Sequence, residues 1–214
     1  MSVDVKICGL STPKTMAAAA EAGAAYLGFM IFDPSPRNLS ITAARDLAPE
    51  IPMGPERVGV FVNADDSLLE SAVDALSLDW LQLHGKETPA EVARLKEQTG
   101  LKVMKAVGVS EVADVQRAKE YFDAADAMLF DAKPPKGSIL PGGNAVSFPW
   151  PIMQDAELPN KWMLAGGLTP DNLAEAVKLS HAAILDVSSG VETSPGVKSK
   201  SLIEAFLRAA KAAR

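Results

Sequence analysis

The pattern that decides the fold first appears in residues 3–32, VDVKICGLSTPKTMAAAAEAGAAYLGFMIF. Apolar runs at 3–7 and 25–32 have the length and composition of short buried strands. Between them, a Thr-Pro cap signal opens a helix-like run at 14–22, and a glycine ends it. The stretch therefore predicts a strand, a crossover helix and a second, parallel strand.

The same alternation continues to the end of the chain. Eight strands are predicted, at 3–7, 25–32, 57–62, 80–84, 102–107, 127–131, 161–165 and 183–187. Helix starts are predicted at Thr12, Asp65, Thr88, Ser110, Thr169 and Ser199. Eight such units in 214 residues suit a short closed (β/α)₈ barrel. An open doubly wound sheet is the alternative, but the first strand–helix turn lacks a GxGxxG loop.

One unit departs from the pattern. The stretch between Asp131 and Lys161 is rich in proline and glycine, with room only for a short helix around 151–156. It predicts a long active-site loop and a shortened helix after the sixth strand. Because nothing divides the chain, we expect a single α/β domain over 1–214, a (β/α)₈ or TIM barrel.

Composition limits the classes of function. The net charge of −6 argues against nucleic acid or an anionic membrane as a main partner, because both select basic surfaces. The two histidines and single cysteine form no cluster with metal-ligand spacing, so no metal is expected. One cysteine suits a reducing compartment, and the amino-terminal sequence lacks the features of a secretory signal. These features predict a cytoplasmic protein.

Polar residues interrupt several strands where a barrel core would lie. Successive strand residues point to opposite faces, one toward the helices and one toward the lumen. In the fifth strand this alternation predicts Met104 and Ala106 facing outward and Lys105 facing inward. The same assignment places six side chains on the lumen side, mostly late in their strands: Cys8, Gln82, His84, Lys105, Asp131 and Asp186.

Each of these residues also has an ordinary structural interpretation. A buried cysteine is usually inert core, and an inward lysine or aspartate is often half of an ion pair. A single histidine at a strand end is more often structural than catalytic. Their convergence favours a polar pocket, because active sites of these barrels lie at the carboxyl ends of the strands.

Glycine-bearing turns follow the seventh and eighth predicted strands, and a third lies in the long loop before the seventh strand. In these barrels the loops after strands 7 and 8 commonly bind phosphate through backbone N–H groups. The spacing therefore predicts a phosphate site. Its candidate residues are Gly142, Gly143, Gly166, Gly167, Ser189 and Gly190.

Cys8 and Asp131 end strands on opposite sides of the predicted barrel mouth. A thiolate can act as a base when a nearby cation such as Lys6 lowers its pKa. A carboxyl group can donate a proton when burial or a neighbouring anion raises its pKa. One base and one acid across a bound ligand suit an isomerisation.

The chain resembles the phosphoribosylanthranilate isomerases of tryptophan biosynthesis. The resemblance runs from end to end and is most specific in the segments KICG (6–9), QLHG (82–85) and DVSSGVE (186–192). It implies a cofactor-independent Amadori rearrangement of N-(5′-phosphoribosyl)anthranilate to 1-(o-carboxyphenylamino)-1-deoxyribulose 5-phosphate. The implied partner is this small phosphorylated substrate, and the implied assembly is a monomer or a homodimer.

The resemblance also implies residue roles. By motif, Cys8 is the general base and Asp131 the general acid. Arg37 corresponds to the arginine that faces the anthranilate carboxylate, for which a guanidinium is well suited. Gln82, His84 and Asp186 are supporting substrate-binding residues, and the glycine turns hold the phosphate.

Two positions depart from the family pattern. Ala145 stands where a glycine is usual, and Pro149 stands where a polar residue is usual. Because alanine tolerates positive φ poorly and proline has no N–H, we expect an altered loop geometry near the phosphate. The alternatives are another phosphosugar isomerase of the same barrel class and a degenerate, non-catalytic barrel.

Overall fold

The structure is a computed structural model. It describes residues 3–134, 137–138, 140, 142–144 and 146–213. Ala145, one of the two departures noted above, lies outside the described residues.

Eight parallel strands close into a barrel in sequential order, which confirms the predicted fold class. Closure pairs the first strand with the eighth, so that Lys6 lies beside Asp186. The strands are β1 (Asp4–Cys8), β2 (Tyr26–Ile31), β3 (Glu56–Phe61), β4 (Trp80–Leu83), β5 (Lys102–Val109), β6 (Ala127–Ala132), β7 (Trp162–Leu164) and β8 (Ile184–Val187). All eight coincide with the predicted strands to within two residues at either end.

Helices connect the strands on the outside of the barrel. They are α1 (Pro13–Glu21), α2 (Ile41–Leu47), α3 (Asp66–Leu76), α4 (Pro89–Thr99), α5 (Val112–Ala118), α6 (Leu173–Ser180) and α7 (Lys200–Ala212). The predicted caps Thr12, Asp65, Thr88 and Ser199 each accept a hydrogen bond from a backbone N–H of the first turn. Gly100 ends α4 at a φ of 66°, as expected for a glycine at a helix carboxyl end.

Two helix starts differ from the prediction. The α5 helix begins after Glu111, because the Asp114 carboxylate accepts hydrogen bonds from the backbone N–H groups of Ser110 and Glu111. The α6 helix begins after Asn172 rather than Thr169. There the Asn172 side chain accepts a hydrogen bond from the Thr169 N–H, which closes a separate turn before the helix.

The apolar core has two layers. A large layer fills the space between the strands and the helices. A smaller cluster plugs the barrel interior, and its larger members are Tyr26, Trp80, Met104, Leu129, Met163 and Ile184. This cluster fills the lower lumen, and active sites of such barrels lie at the carboxyl ends of the strands.

The predicted orientation of β5 is wrong. Met104 and Ala106 belong to the interior cluster, whereas Lys105 lies on the outer face of the strand. There its ammonium group donates to the carboxylate of Glu87 at 2.8 Å and to two backbone carbonyls. The outward lysine is tolerated because these acceptors replace the water it loses on burial.

The loops after β6 and β8 contain structure that strand–helix alternation does not specify. The short helix predicted around 151–156 is a single 3₁₀ turn, Trp150–Met153, and the Pro149 carbonyl accepts from the N–H of Ile152. After β8 the chain forms an antiparallel hairpin of β9 (Glu192–Ser194) and β10 (Val197–Lys198). In the described part of the chain, no helix is long and apolar enough to cross a membrane.

Candidate active site

Two adjoining cavities open at the carboxyl ends of the strands and contain about 450 Å³ and about 360 Å³ of empty space, counting the part that is open to solvent. Of the predicted site residues, the larger cavity is lined by Cys8, Arg37, Gln82, His84, Asp131, Gly142, Gly143 and Asp186. The smaller one is lined by Gly143, Gly166, Gly167 and Ser189, together with Asp131 and Asp186. Gly190 packs instead against the Leu168 carbonyl, where a β-carbon would collide.

Asp131 lies on β6 between the two cavities. Burial raises the pKa of its carboxyl group to about 7, with a further contribution from the negative charge of Asp186. The hydrogen bond that Oδ1 accepts from the Ala132 N–H, at 2.8 Å, opposes this shift only in part. A large fraction of the Asp131 carboxyl groups is therefore protonated near neutral pH and able to donate a proton.

His84 follows β4 directly and faces Asp131. Burial lowers the imidazole pKa to about 3, and the charges of Lys105 and Lys6 add to this effect. The ring is therefore neutral at neutral pH, and the 3.7 Å separation between its Nε2 and Asp131 Oδ2 is not an ion pair. The Nδ1 atom lies 3.4 Å from Nε2 of Gln82, which orients the ring.

Gln82 presents an unused acceptor. Its side chain is almost fully buried on β4 and lines the larger cavity. Among the described residues, its Oε1 atom has no hydrogen-bond partner. Since a buried polar atom normally has one, a ligand hydroxyl or amine group in the cavity would supply it.

Cys8 is the last residue of β1 and lies beside the Lys6–Asp186 ion pair. The Lys6 ammonium group is fully buried and donates to Asp186 Oδ1 at 2.8 Å. Burial raises the pKa of the Cys8 thiol, whereas the charges of Lys6 and Lys198 oppose that shift. Gly28 makes room for this arrangement, since a β-carbon there would lie 2.9 Å from Lys6 Nζ.

The Arg37 guanidinium extends from the loop after β2 over the larger cavity. Its Nε and Nη2 atoms each donate at 2.8 Å to one oxygen of Glu192. Nη2 also lies 3.4 Å from the Gly143 carbonyl. Among the described residues, Nη1 makes no hydrogen bond, so that nitrogen remains for a ligand carboxylate. Gly9, at a φ of 77°, leaves space for the Arg37 stem.

The smaller cavity has the features of an anion site built from backbone. Its glycines adopt φ values that other residues avoid, 92° at Gly166 and 63° at Gly167. Side chains there would collide with neighbouring backbone, because a β-carbon on Gly167 would lie 2.9 Å from the Val146 carbonyl oxygen. The charged side chains among its described lining residues are Asp131 and Asp186, so backbone N–H groups would have to bind a phosphate.

In the ranges that the structure describes, no three His, Cys, Asp or Glu side chains are arranged to hold a metal ion.

Comparisons with known proteins identify the family of this chain. A family model described as N-(5'phosphoribosyl)anthranilate (PRA) isomerase matches residues 5–209. The N-(5'-phosphoribosyl)anthranilate isomerase of Paramagnetospirillum magneticum is 50% identical over 214 residues, covering 100% of both chains. The chain belongs to the N-(5'-phosphoribosyl)anthranilate isomerase family.

Solved structures of the N-(5'-phosphoribosyl)anthranilate isomerase family are similar over nearly the whole chain. The enzyme from Thermotoga maritima has a TM-score of 0.87 and 34% identity, covering 98% of this chain and 99% of its own. A second structure, solved in complex with reduced 1-(o-carboxyphenylamino)-1-deoxyribulose 5-phosphate, has a TM-score of 0.82, 32% identity and the same coverage. The protein is an isomerase of tryptophan biosynthesis, as the resemblance implied.

Two residues at the candidate site were not predicted from the sequence. Glu192 binds Arg37, and Lys198 donates to Glu192 Oε1 at 2.6 Å. Glu192 ends the segment DVSSGVE and so carried a signal, but no role followed from it. Lys198 carried no signal, because its place depends on the β9–β10 hairpin.

Proposed function

We propose that Cys8 is the general base and Asp131 the general acid of the Amadori rearrangement. The observation that supports these roles is that both side chains line the larger cavity, while Asp131 also borders the candidate phosphate cavity. A sugar whose phosphate occupies the smaller cavity would extend past Asp131 toward Cys8.

In this mechanism Asp131 protonates the ring oxygen of the ribose while the amine nitrogen opens the furanose. The elevated pKa of Asp131, about 7, leaves a proton available near neutral pH. The bound phosphate would add negative charge next to Asp131 and would favour its protonated form further.

Cys8 then removes the C2′ proton of the opened sugar, and the resulting enolamine becomes the ketone. The Cys8 thiol must ionise against its burial, so the neighbouring Lys6 ammonium is needed to stabilise the thiolate. We propose that Arg37 binds the anthranilate carboxylate through Nη1, and that Gln82 and His84 line the sugar. Backbone at Gly143, Gly166, Gly167 and Ser189 would bind the phosphate.

The test is complementation of a tryptophan auxotroph that lacks this isomerase, together with a fluorescence assay of substrate loss. Cys8→Ser and Asp131→Asn should each reduce kcat by about 10²- to 10⁴-fold while leaving the fold intact. Asp66→Asn removes a carboxylate from the exposed start of α3 and is the matched control. Near-wild-type turnover in either site variant would refute the corresponding role.

A further inference from the structure

The β9–β10 hairpin lies directly against the loop that carries Arg37. At its turn Gly196 has a φ of 83°, and a β-carbon there would collide with the carbonyl of Pro36. The Gly196 N–H also lies 3.3 Å from Glu192 Oε2. The hairpin thereby holds its first residue, Glu192, and its last residue, Lys198, beside the mouth of the barrel.

A continuous chain of hydrogen bonds runs from Arg37 to Cys8 through this hairpin. The bidentate contact of Arg37 with Glu192 is the first link, and the 2.6 Å bond from Lys198 Nζ to Glu192 Oε1 is the second. Lys198 also donates to the Ser188 carbonyl at 2.9 Å and contacts Ser188 Oγ at 3.1 Å. Ser188 Oγ in turn donates to the Cys8 carbonyl at 3.1 Å.

All three charged side chains in this chain are nearly inaccessible to water. The exposed fractions of the Arg37, Glu192 and Lys198 side chains are 5%, 4% and 2%. Two buried cations share one carboxylate, so the group carries an excess positive charge in a site with little solvent to screen it. That charge suits a cavity that must bind a carboxylate at one end and stabilise a thiolate at the other.

We propose that Glu192 and Lys198 are positioning residues of the isomerase: Glu192 fixes the guanidinium of Arg37, and Lys198 supports the Cys8 thiolate. This inference rests on the roles proposed above for Arg37 and Cys8. Neither new residue needs to touch the substrate, because each acts through a side chain that lines the cavity.

The charged groups around Cys8 determine in which direction its pKa should change when Lys198 is replaced. Lys6 from β1 and Lys198 from the hairpin favour its ionised form, and Asp186 from β8 opposes it. Asp131 and His84 face it across the cavity, and His84 is neutral at neutral pH. Removal of the Lys198 charge should therefore raise the pKa of the thiol.

The first experiment measures ionisation of the thiol in the whole protein without turnover. Cys8 is the only cysteine, so the ultraviolet absorbance of its thiolate and its alkylation rate against pH report on this group alone. In Lys198→Met the thiol pKa should rise by about one unit. Lys198→Arg, which keeps the charge, should restore it, and Lys200→Met, an exposed lysine two residues away, should leave it unchanged.

The second experiment separates KM from kcat. Glu192→Gln removes the charge that fixes the guanidinium, so KM should rise about tenfold while kcat falls far less. Glu204→Gln, which removes the half-exposed partner of Lys200, is the matched control. A structural defect alone would lower the folded fraction and the apparent kcat and leave KM unchanged.

An unshifted thiol pKa in folded Lys198→Met would overturn the role of Lys198, and an unchanged KM in Glu192→Gln would overturn that of Glu192. If Lys198→Met does not fold, Lys198→Gln removes the same charge while keeping a hydrogen-bond donor, and the same pKa rise is required of it. Activity of Cys8→Ser would refute the proposed base instead, so the two failures are distinguishable.

Discussion

Two buried lysines, Lys6 on β1 and Lys105 on β5, have similar sequence environments and different surroundings. Both interrupt an apolar strand, and their side chains are 0% and 3% exposed. Lys105 points out of the barrel and donates to three acceptors, two backbone carbonyls and Glu87. Lys6 points into the lumen, where it donates to Asp186 and faces the Cys8 thiol.

The difference separates a charge that holds a loop from one that lies next to the proposed general base. An ammonium group has three N–H donors, and those of Lys105 bind the end of β4 and the loop that follows it. The charge of Lys6 is balanced by one carboxylate and remains close to the Cys8 thiol, the proposed general base. Burial and ion pairing alone do not distinguish the two lysines; the neighbouring side chains do.

Removal of Lys6 should have the largest effect. In Lys6→Met, Asp186 loses its partner and the Cys8 thiol loses its strongest stabilising charge, so kcat should fall by about 10²-fold or more. The measurement is kcat and the thiolate absorbance of Cys8 against pH. Lys105→Met is the matched control, and a normal thiol titration in Lys6→Met would contradict the assignment.

Removal of Lys105 should destabilise the fold without a comparable loss of turnover. Lys105→Met leaves the buried Glu87 carboxylate without its cation, for an expected cost of about 3–5 kcal/mol in the free energy of unfolding. Denaturant unfolding measures that cost, and kcat is normalised to the folded fraction. A loss of kcat as large as that of Lys6→Met would remove the distinction between the two lysines.

The same comparison shows what the sequence could specify. In β1 the outward residues Val5 and Ile7 are apolar, whereas Lys6 and Cys8 on the other face can ionise. Alternation therefore placed Lys6 and Cys8 on the lumen side, where the structure has them. In β5 each face carries apolar residues and one lysine, Lys102 on one face and Lys105 on the other. The alternation therefore did not indicate which face meets the lumen. Glu87, the carboxylate that pairs with Lys105, lies in the loop after β4, and strand alternation does not describe loops.

The candidate site likewise contains residues that could be grouped from the sequence and one that could not. Barrel closure brings residues at the ends of β1, β4, β6 and β8 together, so Cys8, Asp131 and Asp186 could be grouped from the sequence. The position of Lys198 beside the site could not be predicted, because β10 has two residues and no periodicity to detect. Short elements of this kind depend on tertiary contacts rather than on local pattern.

The pH dependence of the free energy of unfolding tests whether the pKa of Asp131 is raised inside the barrel. Its pKa is raised to about 7, so its stabilising contribution is fully present below about pH 4 and is lost as the pH rises through 7. Asp131→Asn resembles the protonated form at every pH. The variant should therefore exceed the wild type in unfolding free energy by about 2–4 kcal/mol at pH 8 and match it near pH 4. A constant difference across this range would show that the Asp131 pKa is not raised.

The smallest expected effect concerns His84, which both lysines influence. Its pKa is lowered to about 3 by burial first, then by the charge of Lys105 and then by that of Lys6. Lys105→Met should raise the His84 pKa by less than about 1 unit, because burial remains, and Lys6→Met should raise it less. Nitrogen NMR of the imidazole measures the shift, and the exposed His181 at the end of α6 supplies an internal reference signal. A larger shift from Lys6→Met than from Lys105→Met would reverse the expected order. No shift at all in Lys105→Met would mean that the outer lysine is electrostatically isolated from the site.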